Sequence, residues 1–377
     1  MSRRKNFADT MNHKKPKDII IDFGGCPLST MEGKSEEKLL DFLGYQRRKE
    51  EERLLFGKTK KLDERILKHF DVDTRSVGTI MTPSDSLFRK ISDTEYIDEW
   101  GIRRIFTGLY WEAVNAPLKD ATIEDLEHYR FPNPNSISMD ELNRYEQEAK
   151  KLYEETDYVI CGEHPVYGVF ELGCWMCGFD DFFYKLAAEP DFVEAFFEKV
   201  LTYQKRVIEL YYGKIGKYIH YTSSGDDFAT QNGPFMSPSM FAEYVKPSYV
   251  ERIHYTKKFT DAYYLHHSCG SIYMLLDEII DSGIDILNPI QPKAKDMDAL
   301  KLKRNYGEKI VFHGGIDTQE ILPFSDIYAV QETVSEVIET MNKDGGYIFA
   351  AAHNIQEDVN PENLTVMLET ARKAGRR

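Results

Sequence analysis

Cysteine is scarce and scattered. Five in 377 residues (Cys26, Cys161, Cys174, Cys177 and Cys269) cannot build a disulfide framework, which points to a reducing cytoplasm. Long apolar runs are missing: none approaches the roughly 20 residues that cross a bilayer. The basic, polar stretch Met1–Lys17 has no apolar segment behind it, so no secretory signal is expected. Positive charge is also short. The 48 Lys and Arg stand against 63 Asp and Glu, and the net charge of −15 repels nucleic-acid backbones and anionic lipid. Internal repeats, low-complexity tracts and Gly/Ser linkers are absent. With 42 % hydrophobic and 29 % charged residues, the chain reads as an ordinary globular protein. Residues 1–17 are expected to form a flexible tail and residues 18–377 a single domain.

Seven short apolar runs rich in β-branched and aromatic residues stand out: Ile19–Phe23, Tyr158–Cys161, Tyr218–Thr222, Ala262–His266, Ile284–Leu287, Lys309–Phe312 and Gly346–Ala350. Runs this short, without alternation, suit strands covered on both faces. Stretches of helical period lie between them, including Asp191–Ile215, Ser237–Lys257, Ser271–Ser282, Ser325–Asn342 and Pro361–Ala374. Alternating strands and helices call for a parallel sheet, either doubly wound or closed into a barrel with one strand still to find. No Gly-x-Gly-x-x-Gly follows the first run, so dinucleotide binding lacks support. Nearly every run is followed by chemically capable groups, and a barrel gathers such ends on one rim. The expected fold is therefore an α/β class (β/α)8 TIM barrel. The more charged segment Lys34–Asp98 reads as an N-terminal helical extension, and the charge runs Arg47–Arg53 and Lys58–Arg65 as solvated helix faces.

The sharpest local feature is His267-Ser268-Cys269-Gly270. On an extended segment residues i and i+2 point the same way, so an imidazole and a thiol converge, a donor pair that suits Zn2+. The plainer reading is a buried thiol beside a hydrogen-bonded histidine. His353 is the first candidate for a third ligand, with His313 and Glu171 behind it. Cys174-Trp175-Met176-Cys177 lies in an apolar patch and reads as core packing rather than a redox pair. Asp226 and Asp227 form a carboxylate pair suited to acid–base work or to orienting a polar heterocycle, with helix capping as the competing use. Asn288, Gln291 and Asp317 fall on the same expected rim. His313-Gly314-Gly315 offers either close approach to the backbone or a tight turn.

These motifs carry a family resemblance. His266 to Ser271, Gly283 to Pro292, His313 to Asp317, and the tail from Gly345 through His353-Asn354 to Asn363 make the chain resemble the uroporphyrinogen decarboxylase superfamily, most closely its corrinoid-dependent methyltransferase branch. The resemblance implies a TIM barrel that moves a methyl group between a corrinoid on a partner protein and a thiol or tetrahydrofolate. It also implies zinc on a His-x-Cys pair plus a later Cys. His267 and Cys269 fit the pair; His353 stands where the later Cys is expected, a departure that tilts the expectation toward folate. Asp226 and Asp227 are then the catalytic candidates, and Glu171, Asn288, Gln291, His313 and Asp317 the substrate-binding ones. The implied protein is a cytoplasmic enzyme of one-carbon metabolism, with a corrinoid-binding protein as partner, no nucleic acid or membrane, and a homodimer left open. The alternative within the superfamily is decarboxylation of an acidic tetrapyrrole. Against it, Gly24 to Ser29 replaces the arginine-rich motif that holds such a substrate in the decarboxylases. A non-catalytic corrinoid or tetrapyrrole carrier is a third reading, disfavoured by the polar strand ends.

Overall fold

The computed structural model describes residues 2–47, 61–108 and 110–375. Eight parallel strands form one sheet: β1 (Ile20–Ile21), β2 (Thr74–Val77), β3 (Val159–Gly162), β4 (Tyr221–Thr222), β5 (Tyr263–His267), β6 (Ile286–Ile290), β7 (Val311–Ile316) and β8 (Tyr347–Ala351). Around the sheet the order is β1-β8-β7-β6-β5-β4-β3-β2, each strand beside its neighbours in sequence. The ends meet through Asp73: its backbone N–H donates to the Ile21 carbonyl at 3.1 Å, and its carboxylate accepts from the Ile21 N–H at 2.9 Å. This is the expected (β/α)8 TIM barrel.

The strand missing from the apolar pattern is β2, Thr-Arg-Ser-Val, which lies inside the segment expected to be helical. Its polar residues are nevertheless buried, and the Arg75 guanidinium lies 3.8 Å from the Tyr158 ring while pairing with Glu64. Of residues 34–98, Ser35–Phe42 and Glu64–His69 are helices. The part after β2 begins a four-stranded antiparallel sheet (Arg89–Ser92, Glu95–Ile97, Arg103–Phe106, Trp111–Ala113). A buried ion pair fastens this sheet: Arg104 Nε donates to Asp98 at 2.8 Å, and its guanidinium lies 4.7 Å from the Trp175 ring. The helical extension is thus a mixed insertion. Of the two charge runs, residues 48–60 lie outside the described residues. Arg47 and Arg65 form ion pairs with Asp41 and Asp63.

The N-terminal tail is also ordered. Ser2 caps a helix over Arg3–Met11, and Phe7 and Met11, four residues apart, reach the barrel interior. Phe7 packs 5.8 Å from the Tyr221 ring and 5.9 Å from the Tyr263 ring. The interior they close is filled by Ile20, Val159, Cys161, Leu265, Ile286, Val311 and Ile348. Outside, the long helix Pro190–Ile215 buries Phe192, Phe196, Val200, Val207 and Tyr211 on one face. The stretch expected as one helix from 237 to 257 carries a π turn at Phe241–Val245. Pro247 lacks an N–H there, so the regular hydrogen-bond ladder is interrupted. Cys174 and Cys177 are buried in the helix Val169–Cys177, in keeping with core packing. No helix among the described residues is long and apolar enough to cross a membrane.

Removing the Phe7 ring leaves a cavity at the N-terminal end of the barrel. Phe7→Ala is expected to lower unfolding free energy by about 3 kcal/mol in urea denaturation. An unchanged midpoint would show that this helix is no part of the core.

Candidate active site

The C-terminal strand ends do converge. At the end of β5, Cys269 Sγ lies 3.2 Å from His267 Nε2. His353, on the loop after β8, completes a trio: one donor atom from each of His267, Cys269 and His353 lies within 4.8 Å of the others. The His267 and His353 ring centroids are 6.0 Å apart. Gln291, beyond β6, donates from Nε2 to Cys269 Sγ at 3.4 Å. Its Oε1 accepts from the Gly270 N–H at 2.8 Å and from Gln231 at 3.1 Å.

Carboxylates face this trio from the β4 side. Asp227 Oδ1 accepts from the Cys269 N–H at 2.8 Å and lies 3.7 Å from His267 Nε2. Burial pushes the Glu171 carboxyl well above the usual range, and the Asp227 and Asp226 carboxylates push it further. Burial likewise raises the Cys269 thiol, with Asp227 and Glu171 adding to the effect. Such a thiol is a weak nucleophile and a poor anion until a cation joins it. The His353 imidazole goes the other way, to about 4, chiefly by burial and secondarily through His267. It is therefore neutral at physiological pH, as a metal ligand must be. Two imidazoles and one thiol with carboxylates behind them suit a borderline-soft divalent cation. Three protein donors leave a fourth position for a substrate atom.

Several expected site residues are engaged elsewhere. Asp226 is fully buried, and its oxygens accept from the backbone N–H groups of Glu171 at 2.9 Å and Phe170 at 3.3 Å. It caps the helix Val169–Cys177, the competing use expected of it. Gly168 beside it is required, because a Cβ there would fall 2.2 Å from the Asp226 carboxyl carbon. The Asp317 carboxylate accepts from the backbone N–H groups of Gln319, Glu320 and Ile321. Asn288 and His313 were expected to touch substrate, but both are fully buried. Asn288 Oδ1 lies 2.5 Å from His267 Nδ1, Asn288 Nδ2 lies 2.6 Å from His313 Nδ1, and His313 Nε2 lies 2.7 Å from Asp22 Oδ2. Asp227, Glu171 and Gln291 remain beside the trio.

Sequence reasoning missed Asp22 and Tyr110. Asp22 stands inside the first apolar run, and a carboxylate in such a run was the available signal. The loop before Trp111–Ala113 brings the Tyr110 hydroxyl to Gln356 Nε2 at 2.8 Å, over the barrel mouth. No sequence pattern announces that contact.

The model of the uroporphyrinogen decarboxylase family matches residues 117–374, well over half of the chain. The chain belongs to the uroporphyrinogen decarboxylase family. Within that family's barrel, the trio occupies the rim where the strand ends meet. Among solved structures, a methyltransferase from Methanosarcina mazei is similar over 99 % of both chains, with TM-score 0.66 and 13 % identity, a likeness of fold. A B12-independent methionine synthase from Shewanella sp. W3-18-1 matches at TM-score 0.35 and 13 % identity, covering 61 % of this chain and 67 % of that one. Xylanase 10B from Thermotoga maritima matches at 0.40 and 11 %, covering 64 % and 82 %. No curated protein matches the sequence.

Burial holds the Asp226 carboxyl at about 6, against 3.8 for an ordinary aspartate. The folded state then binds more protons than the unfolded state between pH 4 and 6, so stability falls as pH rises through that window. The loss attributable to Asp226 is about 1–3 kcal/mol. Urea denaturation of Asp226→Asn across the same range should show that slope reduced; an unaltered slope would assign the titration to another group.

Proposed function

We propose that the protein is a methyltransferase that moves a methyl group between a corrinoid carried by a partner protein and a small acceptor held at His267, Cys269 and His353. The observation that carries this reading is the convergence of those three donors at the strand-end rim, with Asp227 alongside. The family to which the chain belongs and the fold shared with a methyltransferase are consistent with it.

Against the folate toward which the sequence tilts, the acceptor favoured here is a thiol, because the donor atoms of His267, Cys269 and His353 lie within 4.8 Å of one another. A zinc ion on the trio would lower the pKa of a bound thiol and keep the thiolate nucleophilic. The residues supply the rest. Cys269 and the two imidazoles fix the acceptor atom, and Gln291 steadies the Cys269 sulfur through its N–H. Asp227, one-third exposed, stands where its free carboxylate oxygen takes the acceptor's proton and passes it to solvent. Tetrahydrofolate is the other acceptor; the carboxylates of Asp227 and Glu171 offer acceptors for the N–H groups of a pterin. A highly anionic tetrapyrrole suits the site less well. Asp227 and Glu171 face the trio, and the Gly24–Ser29 loop after β1 contains no cation.

The deciding assay follows the methylcobalamin visible band with purified protein, offering 2-mercaptoethanol and tetrahydrofolate in turn and measuring zinc on the same sample. Loss of the band with the thiol, a zinc content near one per chain, and a fall on the order of 100-fold or more in Cys269→Ala are expected. Turnover with tetrahydrofolate alone would move the acceptor assignment. Carbon dioxide release from an acidic tetrapyrrole, with methylcobalamin untouched, would replace the reading by decarboxylation.

A further inference from the structure

Below the trio, four polar side chains cross an otherwise apolar barrel core: His267 on β5, Asn288 on β6, His313 on β7 and Asp22 just after β1. His267 and Asn288 are register partners. All three contacts between them are short, at 2.5, 2.6 and 2.7 Å. Asp22, Asn288 and His313 have at most 1 % of their surface exposed, so water does not compete for these bonds. Buried polar groups survive in a core only when their donors and acceptors match.

That matching has a direction. The Asp22 carboxylate accepts only, and it also takes hydrogen bonds from Thr74 Oγ1 at 2.6 Å, the Gly25 N–H at 3.0 Å and Tyr221 OH at 3.4 Å. It therefore receives the His313 Nε2–H. The Asn288 amide NH2, 2.6 Å from His313 Nδ1, donates to that nitrogen, which therefore presents its lone pair. The amide oxygen consequently faces His267 and accepts its Nδ1–H. The lone pair of His267 is left on Nε2, 3.2 Å from Cys269 Sγ and among the trio's donor atoms.

We propose that Asp22, His313 and Asn288 are positioning residues. They form a one-way relay that holds His267 as the Nδ1–H tautomer and aims its Nε2 lone pair at the metal position. This rests on the metal reading of the trio, not on the identity of the acceptor. The competing tautomer, with its proton on Nε2, would donate to Cys269 or Asp227 and could not ligate. Asn288 matters most because its carboxamide inverts polarity between two imidazoles; a carboxylate or an apolar side chain cannot. The grouping of Asp22, Cys26 and His313 donor atoms within 4.8 Å of one another follows from the same arrangement. With Asp22 already accepting four hydrogen bonds, that group is the relay's buried anchor rather than a second metal centre.

The test uses the full-length chain and two readouts that need no turnover. In zinc-free protein labelled with 15N-histidine, two-bond proton–nitrogen spectra report which ring nitrogen carries the proton, with His267 assigned by loss of its signals in His267→Gln. A proton on Nδ1 is expected; a proton on Nε2 overturns the relay. In parallel, zinc affinity is measured against a chromophoric chelator. Asn288→Leu and His313→Leu should each weaken it about 10- to 100-fold. His313→Gln should restore it to within about threefold of wild type, because a carboxamide there donates to Asp22 and accepts from Asn288. Folded Asn288→Leu with wild-type affinity, or His313→Gln no better than His313→Leu, also overturns the relay. If Asn288→Leu does not fold, the His313 pair and the spectrum decide. Wild-type protein that takes up no zinc removes the metal reading itself, and the spectrum still judges the relay.

Discussion

Closure of the barrel is the constraint on which everything else depends. Seven neighbouring strand pairs are joined by parallel ladders, and the eighth junction is made by Asp73 on Ile21 and by Thr74 on Asp22. Asp73 meets Ile21 with both its backbone and its carboxylate, and the guanidinium of Arg372 holds the same carboxylate at 3.0 Å. Once the sheet is closed, inward side chains stack in layers and strand ends share a rim. The proximity of β5 and the loop after β8, far apart in sequence, is a product of that closure. So is the line of polar groups running from β5 through β6 and β7 to the end of β1.

The rim separates carboxylates by function. Asp226 and Asp317 satisfy the N–H groups that begin nearby helices, a need any helix start creates. Asp227, next to Asp226, holds a single backbone N–H and keeps the remainder of its carboxylate toward the trio. Arg252, fully buried, is a cation close to Asp226 and lowers the electrostatic cost of keeping that carboxylate inside. Glu171 has no comparable guanidinium among its main influences, apart from a small one from Arg104. Burial favours the protonated form of Glu171, which leaves Asp227 as the carboxylate facing the three donors.

Much of this was legible in the sequence, and the illegible parts have physical causes. Seven strands announce themselves because they are buried on both faces. Thr74–Val77 does not, because Arg75 is covered by an aromatic face and an acidic partner rather than by apolar neighbours. The helix Arg3–Met11 carries only two core side chains in a charged stretch, too few to mark a periodicity. His267 and Cys269 were legible because strand geometry dictates that i and i+2 share a face. The roles of Asp226, Asp227 and Asp317 were not: a carboxylate after a strand looks the same whether it caps a helix or faces a ligand. Asn288 and His313, expected on the rim, lie one layer below it and are fully buried. Nothing local shows whether a polar side chain at a strand end points across the mouth or down into the core.

The two ends of the chain are structural partners. Ile20 and Ile21 pair with Ile348 and Phe349, the Ile19 N–H donates to the Gly375 carbonyl, and Phe7 seals the interior beneath β4 and β5. The ladder and the Ile19 contact span more than 300 residues of sequence, and the Phe7 contacts more than 200. Loop closure of that length disfavours their early formation, so the central strands must organise before the terminal ones have anything to join. During synthesis the ladder of Ile20 and Ile21, within the segment Ile19–Phe23, waits for β8, more than 300 residues later in the sequence. The same segment ends in Asp22, whose charge interrupts the run at the point where an unpaired strand would otherwise be most prone to associate with another chain. One side chain thus serves the finished barrel as an anchor and the unfinished one as a gatekeeper.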